Sequence, residues 1–316
     1  MRTVSFYRFC SLRAHDSFVF GGLRMAMLTR LGGMGVVGRI YLAQDEGVNG
    51  HCSVPDRDEF AAALGQCAPE LRGMVLNEAV EQGAAFETRR LHVRWRPTLV
   101  NCGAHEPGLE GIQTARAAKL SAAEWNAELE NEEALLIDAR NAYETEVGRM
   151  DGVRCETVGQ GSRKFREQIT QIVAELRERR AEQRRVLMFC TSGIRCEKLA
   201  AILECEGFAN LAQLEGGVTG YVRTARAAGL PVKFRGRLFT FDDRLGADVS
   251  EEKLGRCQVC GGAASLHHNC GFVKCHNLNL QCEACHKRLL GACSEACMHR
   301  LLGRGENEID KNTLKK

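Results

Sequence analysis

Val186-Leu187-Met188-Phe189-Cys190-Thr191-Ser192-Gly193-Ile194-Arg195-Cys196-Glu197-Lys198 joins an apolar run to a polar turn and the start of a helix. A short apolar run bounded by turn signals reads as a fully buried strand. Cys190 follows that strand at once, which puts its sulfur at the carboxyl edge of a parallel sheet, where α/β folds hold their ligands. The amides of Thr191, Ser192, Gly193, Ile194 and Arg195 can curl around the sulfur as an anion nest. The next helix adds the positive end of its dipole, and Arg195 adds a full charge. Each favours the thiolate, which is the nucleophilic form. Gly193 permits the tight turn. Phosphate-cradling cysteine loops are one residue longer than this one, so the smaller ring suits a single sulfur atom. Cys196 is a candidate to resolve an oxidised or persulfidated Cys190 as a disulfide, or else a small buried residue of the helix. The enzymatic reading fails if the sulfur is sealed from solvent, or if the guanidinium points elsewhere with no ring of donors around the sulfur.

Outward from the loop, strands alternate with helices over 121–232. Ser121-Ala122-Ala123-Glu124 opens a helix with a capping box. Leu135–Asp138 is a second buried strand, a basic helix covers 165–180, and Leu211–Leu214 is a strand before Gly216-Gly217. That order predicts a parallel α/β sheet. Residues 1–100 read as βαββαβ, a ferredoxin-like α+β unit. In it Asn49-Gly50 is a hairpin-turn signal, and Pro55-Asp56 starts a helix. Residues 101–120 read as a linker, 240–300 as a cysteine-rich module and 301–316 as a disordered tail.

Asp138 and Arg140 end a buried strand near the same sheet edge. They either order the Cys190 loop or pair internally to hold the fold. Arg163, Lys164 and Arg166 form a basic cluster suited to RNA phosphates, the alternative being a solvated helix face.

Of sixteen cysteines, eight fall between Cys257 and Cys297. Eight thiolates suffice for two tetrahedral zinc sites. The preferred pairing is interleaved, Cys257, Cys260, Cys282 and Cys285 at one ion and Cys270, Cys275, Cys293 and Cys297 at the other. Sequential pairing, or substitution by His267, His268, His276 or His286, is the alternative. Zinc would supply folding free energy that so small a segment cannot draw from a core.

The chain has 316 residues, 44% hydrophobic and 26% charged, with a net charge of +3. That composition is globular, and too mildly basic to announce nucleic-acid binding by itself. No apolar run is long enough to cross a membrane, and no signal peptide is evident. A reducing, cytoplasmic location is expected, with organellar import through the early arginines Arg2, Arg8 and Arg13 as the alternative.

Cys190-Thr191-Ser192-Gly193-Ile194-Arg195-Cys196-Glu197-Lys198 resembles the active loop of the rhodanese-domain tRNA uridine hydroxylases. The segments 137–144, 162–167 and 213–218 resemble the rhodanese part of that family. Residues 38–43 and 46–50 resemble its N-terminal domain, and Phe241-Asp242-Asp243-Arg244 resembles its Phe-Asp-x-Arg. Ser192 stands where the family usually has a glycine. The resemblance implies dioxygen-dependent hydroxylation of carbon 5 of the wobble uridine in tRNA, with Cys190 as the reactive cysteine. The residues alone define a nucleophilic or redox-active thiolate. They leave open a sulfurtransferase with a Cys190 persulfide and a sulfur donor and acceptor, or a non-catalytic zinc-dependent RNA or protein adaptor.

Overall fold

The computed structural model describes residues 1–14, 17–83, 85–86, 90–159 and 164–303. The N-terminal unit comprises β1 (Arg2–Phe9), α1 (Ser17–Gly33), β2 (Val37–Ala43), β3 (Gly47–Val54), α2 (Arg57–Cys67), β4 (Asn77–Glu78) and β5 (Leu91–Trp95). Its sheet runs β4-β1-β3-β2-β5, antiparallel except where β5 joins β2. This is the ferredoxin-like arrangement with one added edge strand. Alternate residues Val4, Phe6, Ile40, Leu42, Val48 and Cys52 face Leu23, Met27 and Leu31 of α1 and Phe60 and Leu64 of α2. Asp56 caps α2 by accepting from the Asp58 and Glu59 amides at 2.9 Å.

Asn49-Gly50 is not the hairpin turn. Both residues lie inside β3, paired with Tyr7 and Phe6, and the chain reverses at Gln44–Glu46. Gly50 has a packing reason instead: a Cβ there would sit 2.1 Å from Phe6 Cζ.

The central unit follows with α3 (Leu109–Thr114), β6 (Ala118–Leu120), α4 (Ala122–Glu128), β7 (Leu135–Asp138), α5 (Ala142–Thr145), β8 (Gly148–Met150), β9 (Glu156–Val158), α6 (Phe165–Glu178), β10 (Val186–Phe189), α7 (Ile194–Cys205), β11 (Leu211–Leu214) and α8 (Gly217–Ala227). Its five-stranded sheet runs β6-β11-β10-β7-β9, parallel throughout. Both faces are covered, which is why its strands read as continuous apolar runs. Leu135, Ile137, Val186 and Met188 pack on α6 and α7, while Leu136, Leu187 and Phe189 pack on α4 and α8. The segment expected to be a linker already carries α3 and the edge strand β6.

β12 (Phe234–Leu238) pairs with β8 and with β13 (Ala247–Asp248), tying the next segment to the central unit. Beyond it lie two short hairpins, β14 (Gly255–Arg256) with β15 (Ala263–Ala264) and β16 (His267–Asn269) with β17 (Leu278–Leu280). The short helices α9 (Glu283–Arg288) and α10 (Glu295–Leu301) complete the described chain. The tail expected to be disordered lies, from 304 on, outside the described residues. No helix among the described residues is long and apolar enough to cross a membrane.

A buried ammonium fastens the first two units together. Lys198 of α7 donates to Glu46 Oε1 at 2.7 Å, Glu106 Oε2 at 2.6 Å and the Val100 carbonyl at 2.6 Å. Two carboxylates and a carbonyl fill its three donors, which is what a buried charge demands.

Candidate functional site

Cys190 follows β10 directly, and Gly193 opens α7 in the left-handed region at φ 103. The Gly193 amide donates to Cys190 Sγ at 3.1 Å. A second amide, from Arg195, and the Cys196 thiol also donate to it. Burial pushes the Cys190 thiol up. The Cys196 hydrogen bond, the Arg195 charge and the two amides more than offset this, and the thiol falls from 9.0 to about 5. Cys196 moves the opposite way, raised by its own burial and then by the neighbouring thiolate. The pair is therefore one thiolate and one thiol at neutral pH.

Two features differ from the sequence expectation. The Cys190 side chain is fully enclosed, at 0% exposure, rather than open at the sheet edge. Arg195 does not aim its guanidinium at the sulfur. It forms a bidentate pair with Glu144, at 2.6 and 2.8 Å, and also donates to Thr191 Oγ1 at 3.1 Å. Its help to Cys190 is an amide and a charge held close by. Thr191 Oγ1 in turn donates to Glu144 at 2.8 Å, so Glu144 pins both ends of the loop. Glu144 is fully buried. Its burial favours the neutral acid, but Arg195, Arg140 and the Asn141 amide outweigh that and keep its carboxyl below the usual range.

The loop is clamped from two further sides. The Val218 and Thr219 amides of α8 donate to the Cys190 and Thr191 carbonyls at 2.9 and 3.0 Å. Gly217 permits this approach, since a Cβ there would lie 2.6 Å from the Cys190 carbonyl oxygen. From the N-terminal sheet, Tyr7 reaches over Gly193 and donates to Glu197 at 3.1 Å.

Asp138 and Arg140 pair with each other at 2.6 and 2.8 Å, and Arg140 also donates to the Gly148 carbonyl. Neither lines the cavity described next, so their geometry is that of an internal brace. Arg163 lies outside the described residues, whereas Lys164 and Arg166 do line the cavity. Further along α6 and beyond it, Arg177, Arg179 and Arg185 pair with Glu206, Glu156 and Glu128.

A cavity of about 490 Å³ lies against the loop, with Thr191, Ser192, Ile194 and Arg195 in its wall. The N-terminal sheet contributes Arg39, Tyr41 and His51, and the segment after β12 contributes Thr240, Phe241 and Arg244. Asp242 holds this seam. It is buried, accepts from Arg244 at 2.6 and 3.0 Å and from Thr240 at 3.0 Å, and faces His51 at 3.4 Å. Burial lowers the His51 pKa to about 4, so the imidazole is neutral at pH 7.

The C-terminal cysteines gather as two interleaved sets, Cys257, Cys260, Cys282 and Cys285, and Cys270, Cys275, Cys293 and Cys297. Within each, all sulfurs lie within 4.8 Å of one another. The pairs Cys260–Cys282, Cys275–Cys293 and Cys293–Cys297 are at 3.7 Å. A tetrahedral ion with metal–sulfur bonds of about 2.3 Å needs sulfurs roughly 3.8 Å apart, so both sets fit such an ion. No histidine joins either set among the described residues.

Tyr7 and His51 were not singled out from sequence, and Glu144 and Asp242 entered only inside segments of family resemblance, with no role given to them. Glu144 had a visible signal: Asn141-Ala142-Tyr143-Glu144 is a capping-box spacing, and the box is formed. Tyr7 and His51 had none, because both act across a domain seam.

Residues 1–99 match the family described as UPF0176 acylphosphatase like domain, 121–224 the Rhodanese-like domain, and 235–298 the Rhodanase C-terminal family. A protein of Salmonella arizonae named tRNA uridine(34) hydroxylase is 37% identical over 305 residues, covering 95% of this chain and 82% of that protein. A protein of the same name from Citrobacter koseri is 37% identical over 301 residues, covering 93% and 81%. Among solved structures, the rhodanese-like domain of an Anabaena protein is 16% identical with a TM-score of 0.29, covering 45% of this chain and 96% of that one.

Proposed function

This chain belongs to the tRNA uridine(34) hydroxylase family, and from that membership we propose that it hydroxylates carbon 5 of the wobble uridine of tRNA. Dioxygen is the oxygen source, and Cys190 is the reactive residue. The observation that carries this reading is the amide-held Cys190 sulfur directly behind the wall of a cavity whose lining includes Lys164, Arg166, Arg39 and Arg244. Arg195 and Glu144 position the loop, and Cys196 shares a proton with Cys190 and is the candidate resolving thiol. Because the sulfur is enclosed, substrate reaches it only when the wall Thr191–Arg195 is displaced, and Gly193 is the residue able to absorb that change.

The two cysteine sets hold structural zinc, which suits an all-thiolate tetrahedral donor set. The metal fixes the fold of 257–297 and takes no part in the reaction. The protein works in the cytoplasm, where its thiolates stay reduced.

Nucleoside mass spectrometry of tRNA from a deletion strain tests this. Loss of 5-hydroxyuridine and its derivatives, restored by the wild-type gene and not by Cys190→Ala, is expected. Unchanged tRNA together with Cys190-dependent transfer of sulfur from thiosulfate to cyanide would replace the reading with a sulfurtransferase.

A further inference from the structure

We propose that the cavity in front of the Cys190 loop takes a single unpaired pyrimidine nucleotide of RNA, its base stacked on Phe241 and its phosphates on Lys164 and Arg166. This rests on the wobble-uridine reading and specifies how that uridine is held. The charged residues lining the cavity are Arg39, Lys164, Arg166, Arg195 and Arg244, with no carboxylate among the described residues. Such a lining selects an anion.

The cations are not equivalent. Arg195 and Arg244 are locked in bidentate pairs with the buried carboxylates of Glu144 and Asp242, so most of their charge is compensated. Arg39 faces Asp243 at 3.7 Å across the seam. Arg166 meets Glu167 only at 3.9 Å with 47% of its side chain exposed, and Lys164, like Arg166, is exposed where α6 begins. These two precede or begin α6, and their charge is free to meet phosphate.

The apolar part of the wall supplies the other half of a nucleotide's chemistry. Phe241 is 43% exposed, which is unusual for a phenylalanine in a domain seam. Phe239 holds its ring edge-to-face at 5.3 Å, and the Arg195 guanidinium lies 6.0 Å over it, which places the ring beside the reactive loop. Exposed aromatic rings beside cations are the platforms on which unstacked bases rest. A concavity of about 490 Å³ is the size of a small-ligand site and too small for a duplex, so the nucleotide enters alone, turned out of its loop. Phe241 comes from the segment leading into the cysteine module, so the three parts of the chain jointly build the pocket.

The test is a double cycle read by fluorescence anisotropy. The full-length protein is titrated with an anticodon stem-loop RNA carrying uridine at the wobble position, and with the same RNA abasic there. Wild type is expected to bind the abasic RNA about 10-fold more weakly. Phe241→Ala is expected to bind both RNAs at that weaker level, and Phe241→Trp to restore the difference. Lys164→Ala and Arg166→Ala should weaken both RNAs equally and flatten the salt dependence. Equal affinity of wild type for the two RNAs would overturn the proposal, and that arm needs no variant to fold. So would a Phe241→Ala protein that still distinguishes them. If hydroxylation proceeds while the base makes no difference to affinity, this pocket assignment fails and the hydroxylase reading stands. If the cycle behaves as expected with no hydroxylation, the reverse holds.

Discussion

Cys190 and the eight C-terminal cysteines gather sulfur inside the protein by opposite means. At Cys190 a single sulfur is stabilised by protein groups alone: two amides, one thiol and a nearby arginine. In the C-terminal module two sets of four sulfurs converge, with contacts as short as 3.7 Å, an arrangement that suits a shared cation. The first arrangement leaves the sulfur its nucleophilicity, and the second, around an ion, would spend it on coordination. On the proposed reading chemistry belongs to the one and architecture to the other.

Metal removal should break the comparison most visibly. Stripping zinc with a chelator, or replacing Cys282 or Cys293 with serine, should unfold 257–297, since structural zinc sites supply on the order of 10 kcal/mol of folding free energy. Metal analysis and thermal melts read this. Two equivalents of zinc are expected, and a protein that melts unchanged without metal would refute the assignment.

Glu144→Ala is next. It leaves the buried Arg195 guanidinium without its partner, which costs about 3–5 kcal/mol. Glu144→Asp should recover part of that in denaturant titrations. A loss under 1 kcal/mol would mean that Glu144 does not pin the loop.

Gly217→Ala is smaller in stability and sharper in effect. Its φ is +61 and the added methyl meets the Cys190 carbonyl, so about 1–3 kcal/mol of strain is expected. Hydroxylation should fall further than stability does, because the strain is delivered to the reactive loop. Activity that merely tracks the folded fraction would contradict this.

The smallest effect separates enclosure from ionisation. Iodoacetamide should alkylate Cys190 more slowly than its ionisation alone would allow, because the sulfur has no exposure, and faster once a stem-loop RNA displaces the wall. Peptide mass spectrometry over time distinguishes this from a freely accessible thiolate.

The two regions also differ in how far the sequence disclosed them. The eight cysteines were legible as ligands for two ions because their number and their Cys-x2-Cys pairs are written along the chain. Spacing left interleaved and sequential pairing both open, and the interleaved sets are the ones that come together. The Cys190 loop was legible as a strand end with a glycine and an arginine. The destination of Arg195 was not, because Glu144 lies fifty-one residues away and only the fold makes them neighbours. The enclosure of the sulfur was likewise hidden, as were the contacts that the fold alone brings to the loop, Tyr7 from β1 over Gly193 and Gly217 from α8 against the Cys190 carbonyl. In the N-terminal unit the apolar alternation of β1 and β2 was plain. Asn49-Gly50 misled because its glycine serves the Phe6 ring rather than a turn.

The direct test of the central claim is the ionisation of Cys190 itself, followed by ultraviolet thiolate absorbance as the difference between the wild-type protein and Cys190→Ser. Folding lowers this thiol from 9.0 to about 5. The thiolate's contribution to stability is therefore complete above the unfolded-chain value and lost as pH falls through about 5. A midpoint near 5, moving upward in Cys196→Ala, is the predicted result. A thiol that stays protonated to pH 9 would contradict the account, because amides and an arginine charge would then not be holding a sulfur anion.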